Sequence, residues 1–126
     1  MANGTEVWLF KNDAGEIIGF GSVGITEWPW PDPKSPPERM SIIPAMAVHS
    51  DFQGKPNDEE FQTKYSVRIL KFLIGRARNN NTDTLVLYVR KNNVQAIKLY
   101  QSVGFTLLSD SFKGNKKMFL DLAVNS

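Results

Sequence analysis

The sequence predicts an α/β (α+β) domain built on a mixed, mostly antiparallel sheet that carries two main helices. Three observations point there. Two runs, "SIIPAMAVHS" (41–50) and "TLVLYV" (84–89), are apolar nearly throughout, as strands covered on both faces are. Between them, from about Lys64 to Arg78, the apolar period becomes helical. Strand-and-turn patterns fill both ends of the chain. Neighbouring buried strands joined by a right-handed helical crossover run parallel, and the terminal hairpins are antiparallel, so the sheet is mixed.

The elements follow in order. "EVWLF" reads as a strand, "KNDAGE" as a turn and "IIGFGSVGIT" as a second strand, together a hairpin. "EWPWPDPKSPPER" holds five prolines between Pro29 and Pro37; fixed φ and missing amide donors predict an extended, stiff loop. Trp28 and Trp30 either pack that loop onto the core or wall a substrate pocket. Pro44 interrupts its apolar run, and a central strand tolerates proline only at a bulge or where its neighbour has separated. In the first helix Ile69, Leu70, Leu73, Ile74 and Ala77 form the apolar stripe, with Lys64, Arg68, Lys71 and Arg78 along another side. "NNNTD" ends it. Asn92 or Asn93 caps the second helix, where Ala96, Leu99, Tyr100 and Val103 fall at i, i+3, i+4 and i+7, and Gly104 stops it. "FTLLS" and "KKMFLDL" close the chain as a hairpin around "DSFKGN". Residues 1–126 read as a single domain without internal repeats.

The chain of 126 residues is long enough for a core without staples. It contains no cysteine, which excludes a disulfide framework, a thiolate zinc site and a cysteine nucleophile. Fifteen basic and thirteen acidic side chains leave a net charge of +2, a balance that argues against nucleic-acid or membrane partners. No leader pattern opens the chain, and no apolar run approaches the roughly 18 residues of a membrane span. The expectation is a soluble, cytoplasmic protein.

"LYVRKNNVQAIKLYQSVGFTLL" (87–108) keeps the spacing V-x-x-x-N-x-x-A-x-x-L-Y-x-x-x-G-F through Val89, Asn93, Ala96, Leu99, Tyr100, Gly104 and Phe105. It resembles the second half of a GNAT-superfamily acyltransferase. Upstream, "MAVHSDFQGK" (46–55) is similar to the same family's strand and pyrophosphate turn. The resemblance covers about Met46 to Leu122 and implies a splayed central pair of parallel strands. The pantetheine arm of acetyl-CoA, the implied cosubstrate, would lie in the gap against Met46, Ala47 and Val48. Its pyrophosphate would sit on amides at the start of the next helix, where orphan N–H groups and the dipole favour anions.

The family's turn is followed at once by its helix, and this sequence departs from that. Gln53 matches the first position, followed by Gly54 and Lys55, but the later glycine positions fall on Pro56 and Asp58. Skipping "PNDEEFQT" places Lys64 and Ser66 there instead, so the stretch reads as a cradle interrupted by an insertion. The helix then starts near Thr63 as its cap, the amides of Lys64, Tyr65 and Ser66 face the phosphates, and Lys55 and Arg68 add charge. The competing reading starts the helix at Asn57, with Asn57 and Glu60 as a capping box and three acids in its first turn, which would repel a pyrophosphate.

For the reaction, the resemblance implies backbone N–H groups near Ala47 and Val48 on the thioester carbonyl and Tyr100 as general acid on sulfur; otherwise Tyr100 is a core tyrosine. Asn93 would cap its helix and touch the CoA arm. The base is open among Glu27, His49, Asp51 and a water chain; no metal is implied. The family's usual strand and two helices precede its first hairpin, whereas six residues precede "VWLF" here. The Pro-Trp loop or a partner subunit, as in a homodimer, would then wall the acceptor site, or acceptor binding would be lost. The expected activity is acetyl-CoA-dependent N-acetyl transfer to a primary amine of a small molecule or protein by direct attack. The alternative is an inactive acyl-CoA-binding or protein-interaction module.

Overall fold

The computed structural model describes residues 5–30, 32–52, 56–58 and 63–123. Strands β1 (Glu6–Lys11) and β2 (Ile17–Pro29) form the first hairpin, with Asn12 closing the turn by accepting the amides of Ala14 and Glu16. β3 (Pro37–Ile43) pairs antiparallel with β2 out to Pro29↔Pro37. The expected stiff loop is therefore shorter than its prolines suggest. The prolines at both ends join the ladder as terminal residues, and an Asp32 turn closes the hairpin.

The apolar run 41–50 is two strands rather than one. β3 ends at Ile43, and β4 (Met46–Val48) begins after Pro44 and Ala45. Helix α1 (Tyr65–Arg78) crosses to β7 (Thr84–Arg90), helix α2 (Val94–Val103) follows, and β8 (Thr106–Phe112) and β9 (Asn115–Asp121) form the last hairpin. Between β4 and α1, β5 (Pro56–Asp58) and β6 (Thr63–Lys64) form a separate two-stranded ribbon. The main sheet has the order β1-β2-β3-β7-β9-β8, with β4 on β2; β3 and β7 are its parallel pair. The predicted mixed sheet with one central parallel pair is the observed one.

Both helices cover one face. Ile69, Leu70, Leu73, Ile74 and Ala77 of α1 join Leu85, Leu87 and Val89 of β7, Met118 and Phe105 in the core, and Ala96, Ile97, Tyr100 and Val103 of α2 pack against it. Burying each of these aliphatic side chains contributes about 1.5–3 kcal/mol. The α1 stripe is as predicted; in α2, Ile97 packs there where Leu99 was expected. No residue of α2 is fully buried, so this helix depends on its ends. Asn93 supplies one, its Oδ1 accepting the Ala96 amide at 3.2 Å. Gly104 supplies the other in the left-handed conformation, with φ 115°.

On the opposite face Trp28 meets Tyr88 edge-on at 5.9 Å between centroids, and Trp30 meets Phe119 at 5.2 Å. By strand alternation these rings share the sheet face of Met40 and Val86, both fully buried. The tryptophans thus pack onto the sheet, the first of the two readings.

Candidate functional site

The sheet opens at Pro44. β3 and β7 pair through Ser41↔Leu85, Ile42↔Val86 and Ile43↔Leu87 and no further. Beyond that point β7 continues through Tyr88, Val89 and Arg90 against β9 alone, while β4 continues against β2 alone. The cause is a bulge. Between Gly24↔Ile42 and Gly21↔Met46, β2 advances by Val23 and Ser22 while the facing chain spends Ile43, Pro44 and Ala45. The extra residue bends the strand away from β7, and proline there has no N–H to lose from a ladder. Ser22 fixes the bend, its amide and hydroxyl both donating to the Ala45 carbonyl, at 2.9 and 3.1 Å.

Hydrogen bonding assigns the edges of β4. Ala45 accepts from Ser22, and the His49 amide donates to Ile18 O at 2.7 Å. By antiparallel alternation the peptide groups of Met46 and Val48 turn toward the gap, and that of Ala47 turns toward β2. The Met46 and Val48 side chains pack on the helical face, and Ala47 points the other way. Gly19 lets the layers close here: a Cβ on it would lie 2.3 Å from Ala47 O and 3.0 Å from Ile69 Cδ1.

The helix that follows begins at Tyr65, two residues after the expected Thr63 cap, because Thr63 and Lys64 are in β6. Its first turn holds no acidic residue, which removes the reading that starts the helix at Asn57; Asn57 and Asp58 are in β5. Pairing of Pro56 with Lys64 brings the two ends of the insertion side by side, so the excursion leaves and re-enters at one place. Gln53, Gly54 and Lys55, the expected start of the cradle, lie outside the described residues. Tyr65 and Ser66 are partly buried, Tyr65 edge-on to Phe52 at 5.4 Å, and Arg68 is exposed. The start of an α-helix offers unbonded N–H groups and positive potential, here with Arg68 beside them.

Tyr100 stands on the helical side with Met46 and Val48, packed against the same core and 5.9 Å edge-on from Phe105. Burial pushes its pKa up, so the phenol stays protonated at neutral pH. His49, just past β4, accepts the Asp51 amide on Nδ1 at 3.1 Å, with the Asp51 carboxylate 3.7 Å from the same nitrogen. Nδ1 is thus a hydrogen-bond acceptor here.

Glu27 is not brought to the gap. It faces Arg39 near the far end of β3, about 20 Å from Met46 at ~3.3 Å of rise per residue. Among the described residues no cluster of His, Asp or Glu could hold a metal ion, and no helix is long and apolar enough to cross a membrane. A groove of about 610 Å³ between α1 and α2 also lies at the far end, lined by Lys71, Ile74, Arg78, Val103, Leu120 and Asp121. None of the residues at the gap lines it.

The structure also brings in residues that the sequence reading passed over. Tyr88 and Arg90 belong to the length of β7 that has lost β3, and Lys117 pairs with Tyr88. Lys117 Nζ lies 4.2 Å from the centre of the Trp28 ring and 5.5 Å from that of Tyr88. Burial lowers the Lys117 pKa and raises that of Tyr88. The alternation of "KKMFLDL" could have placed Lys117 on the face away from the helices; only the register places it beside Tyr88.

Comparison with known proteins agrees with this geometry. Residues 2–105 match the sequence profile of the acetyltransferase (GNAT) family. Over 100 residues the chain is 28% identical to the uncharacterized N-acetyltransferase YdgE of Bacillus subtilis (strain 168), covering 79% of this chain and 54% of that protein. It thus spans about half the length of that relative. Among solved structures, nourseothricin acetyltransferase superposes with a TM-score of 0.67 at 19% identity, over 94% of this chain and 65% of that one. The NatC complex bound to Gag peptide and CoA contains a chain that superposes with a TM-score of 0.64 at 18% identity, over 93% and 70%. At such identities the structural likeness speaks for the fold.

Proposed function

The chain belongs to the acetyltransferase (GNAT) family, and from that premise we propose that it transfers an acetyl group from acetyl-CoA to a primary amine by direct attack. The observation that carries this reading is the parting of β4 from β7 at Pro44. The residues present suit the donor. The outer edge of β4, with the peptide group of Met46, offers a donor and an acceptor to an amide-bearing arm. The first turn of α1 suits a diphosphate, since it adds Arg68 to the N–H groups of Tyr65 and Ser66 and contains no carboxylate. Asn93 caps α2 beside the same opening.

Acetyl-CoA, when bound, supplies the thioester whose acyl carbon the amine attacks. The C–N bond forms as the C–S bond breaks, and the outward Met46 N–H of β4 binds the oxygen on which charge develops. Tyr100 gives its proton to the departing sulfur, and burial keeps that proton in place until then. The amine's proton leaves to the His49 imidazole, which has the Asp51 carboxylate beside it. The products are the N-acetyl amine and CoA thiol.

Calorimetry with CoA and acetyl-CoA tests the donor site, and thiol release over a panel of primary amines tests transfer. Tyr100→Phe is expected to bind acetyl-CoA as the native protein does and to lose about 100-fold in kcat, the lower range for general acid catalysis. Donor binding without thiol release from any amine would assign the chain to the non-catalytic class.

A further inference from the structure

The face of the sheet away from the helices carries a second feature at the gap. On β7, Leu87 and Val89 point into the helical core, so Tyr88 and Arg90 point the opposite way. Cross-strand pairing puts Lys117 and Asn115 beside them on β9. Arg90 and Lys117 are diagonal neighbours, a separation that long side chains bridge. Across the gap the same face shows Phe20, 37% exposed, and Ala47. None of these six residues carries a carboxylate, and the Asp51 carboxylate lies with His49 beyond β4. Arg90 is exposed and has no side-chain partner among the described residues. Among the described residues, Lys117 Nζ lies against the rings of Trp28 and Tyr88.

With the donor gripped at α1, on the helical side, an acceptor has the other face open to it. There it meets an apolar, aromatic floor with cations on one rim. A simple cationic amine gains nothing from that rim and is repelled by it, whereas an anionic group on the same molecule would complete it. A guanidinium binds a carboxylate through two parallel hydrogen bonds. Lys117, desolvated against the rings, gains from an anion beside it.

Resting on the acetyl-transfer reading, we propose that the acceptor is an amino-carboxylate. Its amine enters the gap, its apolar body lies on Tyr88 and Phe20, and its carboxylate is bound by Arg90 with Lys117 adding charge. Arg90 is on this account a specificity-determining residue.

The test uses matched pairs whose amines sit in equivalent surroundings: 5-aminopentanoate and 4-(aminomethyl)benzoate, each against its carboxamide, with acetyl-CoA and thiol release as readout. The acid is expected to exceed its amide in kcat/KM by about tenfold in at least one pair, as a single hydrogen bond to a charged group supplies at the low end. Arg90→Gln should bring that ratio to near one through a raised KM of the acid. Arg90→Lys should keep part of the preference. Lys117→Met should reduce the ratio less, and a melting curve separates that effect from lost packing on Trp28. Equal use of acid and amide by the native protein overturns the proposal, as does a preference that survives Arg90→Gln. So does donor binding with no release from either member of both pairs. Failure to bind acetyl-CoA at all would instead sink the acetyl-transfer reading beneath it.

Discussion

Substituting Gly19 by alanine tests whether the position of β4 sets donor binding. The added Cβ would stand 2.3 Å from Ala47 O, where ordinary contact begins at 3.4 Å, and 3.1 Å from Val48 Cα. Both atoms are backbone, so no rotamer change relieves the clash, and β2 and β4 must part by about 1 Å. Overpacking of this kind costs about 1–3 kcal/mol. Weakening the bonds at Ala45 and His49 adds about 1 kcal/mol, for a total of about 2–4 kcal/mol in urea denaturation. Gly21→Ala is the control. The three atoms nearest its Cβ all belong to the Leu73 side chain, Cδ1 at 2.7 Å first, so the strain passes into the core and leaves β4 in place. Acetyl-CoA affinity by calorimetry should fall at least about tenfold in Gly19→Ala and stay near native in Gly21→Ala. Native affinity in a destabilised Gly19→Ala protein would refute the reasoning.

Two other outcomes follow from single contacts. Asn93→Ala loses the α2 cap and should cost about 1 kcal/mol. Asn93→Asp should restore that stability but not acetyl-CoA affinity, because a carboxylate then faces an anionic ligand; full recovery of both by Asp would remove Asn93 from the donor site. Glu6 accepts Arg76 Nε and Nη2 at 3.1 and 2.9 Å, and the Arg76 hydrogen bonds hold its pKa below the usual value. A lowered folded-state pKa gives stability that is present above the unfolded pKa and is lost as pH falls through the folded one. Glu6→Gln should therefore be slightly less stable than the native protein at neutral pH and equal to it in strong acid, as read by urea midpoints.

How much of this could be read from the sequence depended on whether a contact was local. The α1 stripe, the Asn93 cap and the Gly104 stop are set by residues within a turn or two of each other, and the structure repeats them. Pro44 announced a break in its strand because one missing N–H is a local fact. What it did not announce was the partner each half would keep; the bulge against Ser22 decides that, and it needs the β2 register. The prolines at 29 and 37 look like loop residues in sequence, yet strand ends tolerate them and the hairpin extends to include both. Asn57 and Glu60 had the spacing of a capping box, but antiparallel pairing of Pro56–Asp58 with Thr63–Lys64 claims that segment first. Glu27 looked like a base at a strand end; the fold sets that end about 20 Å from Met46 along β2. Lys117 and Arg90 became neighbours only through pairing between strands about 25 residues apart.

Amide hydrogen exchange with and without saturating CoA reads the gap most directly. If the arm lies between β4 and β7, exchange should slow at the Met46 amide and at the first amides of α1, Tyr65 and Ser66, with no change around Val103 and Leu120. Slowing confined to the α1–α2 groove, with Met46 unaffected, would contradict the account.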